Sequence, residues 1–268
     1  MNPKNQNSNF EYPSKSQLNI LLEHYQNGRF EDAEKVAKNL TQKYPKDIFA
    51  WKVLSAIFWQ TGRKSQGIEI SIKTISLSPN DDEAHSNLGV MLLEQGRLEE
   101  AEASLINAIS LNSKNPKNHY NLGVILKKLG RLKDAKLCYE KAISFEPNYF
   151  KAHNNLGDIF RTLGKLEEAK SSFKIAISLQ PDYAEAHVNL GAVLVDMERL
   201  DEAVFYFKKA ISLKPNYSKA KHMLAALTGE TTKTAPQEYV ESLFDNYAQK
   251  FERALVSNLE YKIPKILT

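Results

Sequence analysis

Apolar residues in this chain recur at helical steps, and the pattern repeats itself. Between Ala84 and Gln95 the residues Ala84, Leu88, Met91 and Leu92 share one face, which predicts an amphipathic helix of about three to four turns. Leu98 to Leu111 repeats the spacing and predicts a second helix. Asn-Leu-Gly stands at Asn87, Asn121, Asn155 and Asn189, each 34 residues after the last. A fixed period of this length predicts helical pairs stacked into a solenoid rather than one globular core.

The register extends beyond those tripeptides. A second glycine recurs at Gly28, Gly62, Gly96, Gly130 and Gly164, with Glu198 in the sixth place. Six units follow: 14–47, 48–81, 82–115, 116–149, 150–183 and 184–217. Five positions behind that place stand Ala33, Gly67, Ala101, Ala135, Ala169 and Ala203, and Pro45, Pro79, Pro147, Pro181 and Pro215 close most units. The third has Ser113 there and Pro116 slightly later.

Each recurrent residue has a physical reason. Gly96 and Gly130 suit the left-handed residue that ends a first helix. Gly89 and Gly123, inside that helix, cost about 1 kcal/mol unless a neighbouring helix must approach closely. Ala101 and Ala135 remove bulk where two helices cross, and Tyr139, Phe173 and Phe207 fill the next hole. Proline stops the second helix.

Leu-Gly, then Ala, then an aromatic, then Pro at this period resembles the tetratricopeptide repeat (TPR), over about three quarters of the chain. The resemblance implies an all-α, right-handed superhelical solenoid of six helix-turn-helix units. The first unit replaces Leu-Gly by Ile20-Leu21 and the second by Leu54-Ser55. Ser71 and Thr74 stand where an aromatic and an alanine would pack, so these two units are expected to be the least regular.

Composition narrows the classes of function. No run of the 268 residues approaches the ~18 apolar residues of a membrane helix, and the polar start MNPKNQNSNFEYPSK predicts a short disordered lead over 1–13. The single cysteine, Cys138, excludes an internal disulfide and a four-cysteine zinc site, fits a reducing cytoplasm and reads as a small, largely buried filler in a second helix. All eleven glycines are spent on the repeat register or, at Gly229, on a helix stop, so no phosphate-cradling loop remains. His85, His119, His153 and His187 also recur every 34 residues. One repeat separates neighbours by about 10 Å, whereas metal ligands lie about 2 Å from a shared ion. Trp51 holds the same place in the second unit, so packing is the expected role and neither metal nor cofactor is expected.

Charge is informative locally. A net charge of +4 with no basic stripe of stacking aromatics argues against nucleic acid. Residues 82–115 hold six acidic and two basic side chains, and 116–149 hold three and seven. The −4 unit beside the +4 unit reads as a solvated face, as attraction within the stack or as a bipolar binding surface.

The asparagines are the leading candidates for function. Asn87, Asn121, Asn155 and Asn189 share one helical position, with Asn19 in register and Val53 interrupting. In TPR arrays this face of the first helix looks into the concave groove, so the resemblance implies a ladder of amides. Each amide offers a donor and an acceptor, enough to grip the backbone of an extended protein or peptide partner. The row resembles the ladder in the repeat domain of O-linked N-acetylglucosamine transferases; the alternative is that these amides satisfy groups within the stack. Helical spacing adds Glu83, Val90, Glu94, Lys117, Tyr120, Val124, Lys127, Lys128, Asn154, Asp158 and Arg161. Lys127, Lys128 and Arg161 read as a basic cluster suited to an acidic segment. Tyr120 stands where the carboxylate clamp of chaperone-binding TPR proteins would want lysine.

Beyond Pro215, residues 218–228 predict one capping helix and 229–236 (GETTKTAP) a polar linker. Over 237–268, Val240, Leu243, Phe244, Tyr247, Phe251 and Leu255 follow three- and four-residue steps, an amphipathic helix whose apolar face needs a partner and could serve self-association. Tyr239-Val240, Leu243-Phe244-Asp245, Tyr247-Ala248, Phe251, Leu255, Leu259, Tyr261 and Pro264 resemble the opening helix of the S-adenosylmethionine-dependent methyltransferase domain that follows TPR arrays in some bacterial proteins. No glycine-rich loop follows, so this chain by itself is not expected to be an enzyme. The expected function is a cytoplasmic interaction scaffold; the alternative is the substrate-recruiting or regulatory arm of a methyltransferase or glycosyltransferase.

Overall fold

A computed structural model of the chain describes residues 12–229, whose regular structure is entirely α-helical. The chain divides into two compact bodies, at Pro147 and Asn148. The first holds four helical hairpins: α1 (Lys15–Gln26) with α2 (Phe30–Lys43), α3 (Ile48–Gln60) with α4 (Lys64–Leu77), α5 (Asp82–Glu94) with α6 (Leu98–Leu111), and α7 (Pro116–Lys128) with α8 (Leu132–Phe145). The second holds α9 (Phe150–Thr162) with α10 (Leu166–Leu179), α11 (Ala184–Asp196) with α12 (Leu200–Leu213), and the single helix α13 (Ser218–Thr228). These are the expected all-α helix-turn-helix units followed by one extra helix. The linker and the amphipathic tail expected over 230–268 lie outside the described residues, as does the lead up to residue 11.

Two kinds of glycine shape each hairpin. Gly130 closes the α7–α8 turn at φ +75°, the left-handed region that glycine enters without Cβ strain. Glu198 makes the same turn between α11 and α12 at φ 60°, the one positive-φ residue other than glycine among those described. Gly123, within α7, serves contact instead. A Cβ built there would sit 2.6 Å from Cε1 of Tyr139, whose ring is fully buried against it. Phe173 faces Gly157 and Phe207 faces Gly191 in the same way, with clashes of 2.8 and 2.7 Å.

The second unit keeps the regular backbone by exchanging small residues between helices. Ser55 of α3 takes the glycine register and Gly67 of α4 the alanine register. A Cβ on Gly67 would meet the Ser55 carbonyl oxygen at 3.2 Å. With Ser71 in the aromatic place, Ser55 Oγ donates to the Gly67 carbonyl at 2.7 Å and lies 2.7 Å from Ser71 Oγ. The irregularity expected of this unit is confined to side chains, since α3 and α4 have 13 and 14 residues, as α5 and α6 do.

Unit junctions use side-chain bonds to free backbone groups. Asp47, Asp81 and Asn115 cap α3, α5 and α7, accepting from Ala50, Ala84 and Lys117 N–H at 2.7, 3.0 and 3.0 Å. The recurrent histidines belong to the same joints. His85 and His187 Nε2 bond the carbonyls of Pro79 and Pro181, both at 2.9 Å, His119 bonds that of Ser113 at 2.8 Å, and Trp51 Nε1 donates to Pro45 O at 2.9 Å. The packing role expected of this register is what the geometry supplies. In the second body, α13 lays Ala220, Met223, Leu224 and Leu227 on the cluster built around Phe173 and Phe207.

Candidate functional site

The first helices carry the asparagine register on one face. Within the first body Asn87 on α5 is exposed and Asn121 on α7 is half-buried, and neither amide bonds a described residue. Tyr120, beside Asn121, places its ring 5.9 Å from that of Tyr139. On the same helix Lys127 is half-buried and Lys128 exposed. Where the −4 and +4 units meet, Arg131 Nη1 donates to Glu102 Oε1 at 2.6 Å, so part of that charge contrast is spent inside the stack.

The second body uses the register differently. Asn189 on α11 donates through Nδ2 to Asn154 Oδ1 at 3.1 Å, and Asn154 Nδ2 donates to Glu185 Oε1 at 3.3 Å. Asn154 is only 1% exposed: the neighbouring α11 covers it, so it lies in a helix–helix contact rather than on an open face. Arg161 Nε donates to Asp196 Oδ2 at 2.5 Å and Nη2 to Oδ1 at 3.3 Å. Its charge is thereby paired with Asp196 on the neighbouring first helix. Lys127 and Lys128 belong to the first body and Arg161 to the second. Asn155 and Asp158 are half-buried on α9.

A pocket of about 400 Å³ opens on the first body. Its floor is Ser55, Ser71, Thr74, Ala84 and Met91; Tyr25, Ala56 and Trp59 make walls; Lys52, Gln60, Asn87, Val90 and Glu94 complete the lining. The floor's hydroxyls are satisfied internally: Thr74 Oγ1 donates to Ile70 O at 2.8 Å, while Ser55 and Ser71 bond each other. Lys52 holds the rim, its Nζ 2.7 Å from Asp81 Oδ2 and 2.6 Å from Glu83 Oε2. Burial disfavours that ammonium, but the bonds to the two carboxylates outweigh it and raise its pKa. Burial likewise disfavours the Asp81 carboxylate, and its bonds to Lys52 and to the Ala84 N–H outweigh that and lower its pKa.

Asn87, Val90 and Glu94 were legible as inner-face positions, whereas Lys52 and Trp59 were not. Their only signal was the departure at Ser55 and Ser71, which marks where the interior is not filled by its own side chains. Cys138 is half-buried and burial raises its thiol pKa to about 11, an environment for a filler rather than a nucleophile. Among the described residues no cluster of three or more histidine, cysteine, aspartate or glutamate side chains is placed to hold a metal ion.

Three family models match the chain. One described as "TPR repeat" covers residues 89–130 and 157–198; two described as "Tetratricopeptide repeat" cover 116–149 with 184–217, and 72–103 with 138–171. Together they run unbroken from 72 to 217, more than half of the chain. No curated protein matches. Among solved structures, Pseudomonas aeruginosa pilF is 19% identical with a TM-score of 0.70, covering 79% of this chain and 96% of its own. YrrB, described as a TPR protein with an unusual peptide-binding site, is 22% identical with a TM-score of 0.56, covering 69% and 96%. A chain of the APC/C hetero-tetramer Cut9–Hcn1 is 17% identical with a TM-score of 0.69; the match takes in 79% of this chain but only 42% of that one. At such identities the likeness is one of fold.

Proposed function

This chain belongs to the tetratricopeptide-repeat family, and on that premise we propose that it is a non-catalytic interaction scaffold, binding an extended partner segment along the face of its first helices. The observation that carries this reading is the pair Asn87 and Asn121. They occupy one register on successive first helices and present amides that bond no described residue, whereas Asn189 at the same register bonds Asn154. An amide can accept from a partner N–H and donate to a partner carbonyl, so a row at the repeat spacing reads main chain without regard to side chains. The peptide-binding site that YrrB is described as having supports the same class of ligand in a related fold. The single cysteine accords with a cytoplasmic setting.

The test is affinity capture with mass spectrometry to identify the partner segment, followed by titration of the corresponding peptide. Replacing both Asn87 and Asn121 with alanine removes up to four amide hydrogen bonds, and roughly tenfold or greater weakening is expected at an unchanged melting temperature. Unchanged affinity contradicts the role given to the asparagines.

The sequence between Tyr239 and Pro264 favours a second reading, in which the repeats recruit substrate or regulate a methyltransferase domain supplied by further sequence or another chain. It lies outside the described residues. Calorimetric titration with S-adenosylmethionine tests it: binding by this chain or by its complex with the captured partner supports that reading, and no binding by the complex removes the form in which the partner supplies the domain.

A further inference from the structure

The pocket on the first body opens at the second unit, where both partners of the later repeats' glycine–ring pair are replaced by serine. In the fourth, fifth and sixth units the aromatic register holds Tyr139, Phe173 and Phe207, each fully buried against a glycine of the first helix. In the second unit the same two registers hold Ser71 and Ser55, two small hydroxyls bonded to each other. No ring lies above them; the slimmer Met91 thioether does, 3.4 Å from Ser71 Oγ and 3.8 Å from Ser55 Oγ, and beside it a pocket of about 400 Å³ stands open, within the range of sites that hold a ligand group.

We propose that this pocket is the anchor subsite of the peptide face, accepting one large aromatic side chain from the partner segment in place of the ring that the later repeats supply from within. This rests on the scaffold reading above and specifies its ligand. The floor favours an apolar group, since the Ser55, Ser71 and Thr74 hydroxyls are satisfied by one another, by backbone carbonyls and by the Met91 thioether, which caps the serine pair with an apolar side chain. Trp59, which carries Lys64 Nζ 4.7 Å from its ring centroid, and Tyr25 line the opening with rings suited to edge or offset stacking. At the rim Asn87 is placed to hold the main chain beside the anchored residue. Around the opening Asp81 and Glu83 share Lys52, and Glu94 pairs with Lys64 at 3.6 Å, so three carboxylates face two ammonium groups and one negative charge is left over. The residue next to the anchor is therefore basic, and the partner is a protein segment with an aromatic residue flanked by lysine or arginine.

The experiment is selection from a random twelve-residue peptide library displayed on phage against the full chain, followed by titration of the enriched peptides. The expected result is enrichment of a single aromatic residue with a basic neighbour. Their affinity should fall at least tenfold in the double variant S55G/S71F, which recreates the glycine–ring pair of the later units and fills the pocket from inside. Ala56→Phe plugs the mouth from a half-buried position without touching the serine pair and should have the same effect; circular dichroism checks that both variants keep wild-type helicity. Enriched peptides with no aromatic residue, or aromatic peptides that bind a folded filled variant as well as wild type, overturn the anchor. If those peptides still lose affinity with Asn87 and Asn121 replaced, the scaffold reading survives alone. Failure of any peptide to enrich overturns both.

Discussion

At the scale of single residues the fold depends on where a Cβ is forbidden. Gly123→Ala would drive a methyl to within 2.6 Å of the Tyr139 ring, which is fully buried and cannot swing out. We expect a loss of about 1–3 kcal/mol, read as a lower urea midpoint. Gly130 has no atom within 4 Å of a built Cβ, so alanine there costs only the left-handed backbone strain of about 1–2 kcal/mol. Glu198 already bears that strain at φ 60°. Glu198→Gly should therefore raise stability by about 0.5 kcal/mol, the relieved strain less the extra freedom of glycine in the unfolded chain, seen as a higher melting temperature. These contacts were legible in the sequence, because only close approach explains a glycine repeated inside a helix. The burial of Asn154 was not legible, because it depends on how the following helix is turned over that face.

At the scale of helices, what joins one unit to the next is partly electrostatic. Arg63 Nη1 and Nη2 grip both oxygens of Glu34 at 2.9 and 2.5 Å, and the guanidinium lies 4.5 Å over the Phe58 ring. The hydrogen bond from Arg63 holds the Glu34 carboxyl at about 2, well below its usual 4.5. A carboxyl whose folded pKa is depressed contributes its stability above the unfolded value and loses it as pH falls through the folded one. The Glu34 contribution is thus present above about pH 4.5 and gone by about pH 2. Urea titrations of wild type and Glu34→Gln should differ at pH 7, with wild type the more stable, and converge at pH 2. A constant difference would exclude the ionised pair as its source. The helices themselves were legible from apolar spacing and the 34-residue register. Arg63 and Glu34 were not, since a separation of 29 positions gives no local pattern to read.

At the scale of the molecule, the repeats do two jobs that the sequence intermixes. Leu-Gly, alanine and the buried ring build the stack, and Trp51, His85, His119 and His187 tie their joints to a preceding carbonyl. What is left on the first helices of the first body is a face with two amides at one repeat spacing and a pocket where the second unit lacks its ring. The second helices also expose apolar side chains, among them Ile72, Ile106 and Leu137, 52%, 49% and 59% exposed. The choice between the two faces is a choice between a binding mode built on the asparagine register and one indifferent to it. The most direct measurement is photo-cross-linking of a bound partner peptide carrying benzophenylalanine, with the attached residues located by mass spectrometry. The account predicts attachment on α3, α5 and α7, near Trp59, Asn87 and Asn121. Attachment around Ile72, Ile106 and Leu137 on the second helices, with none on the first, would contradict it.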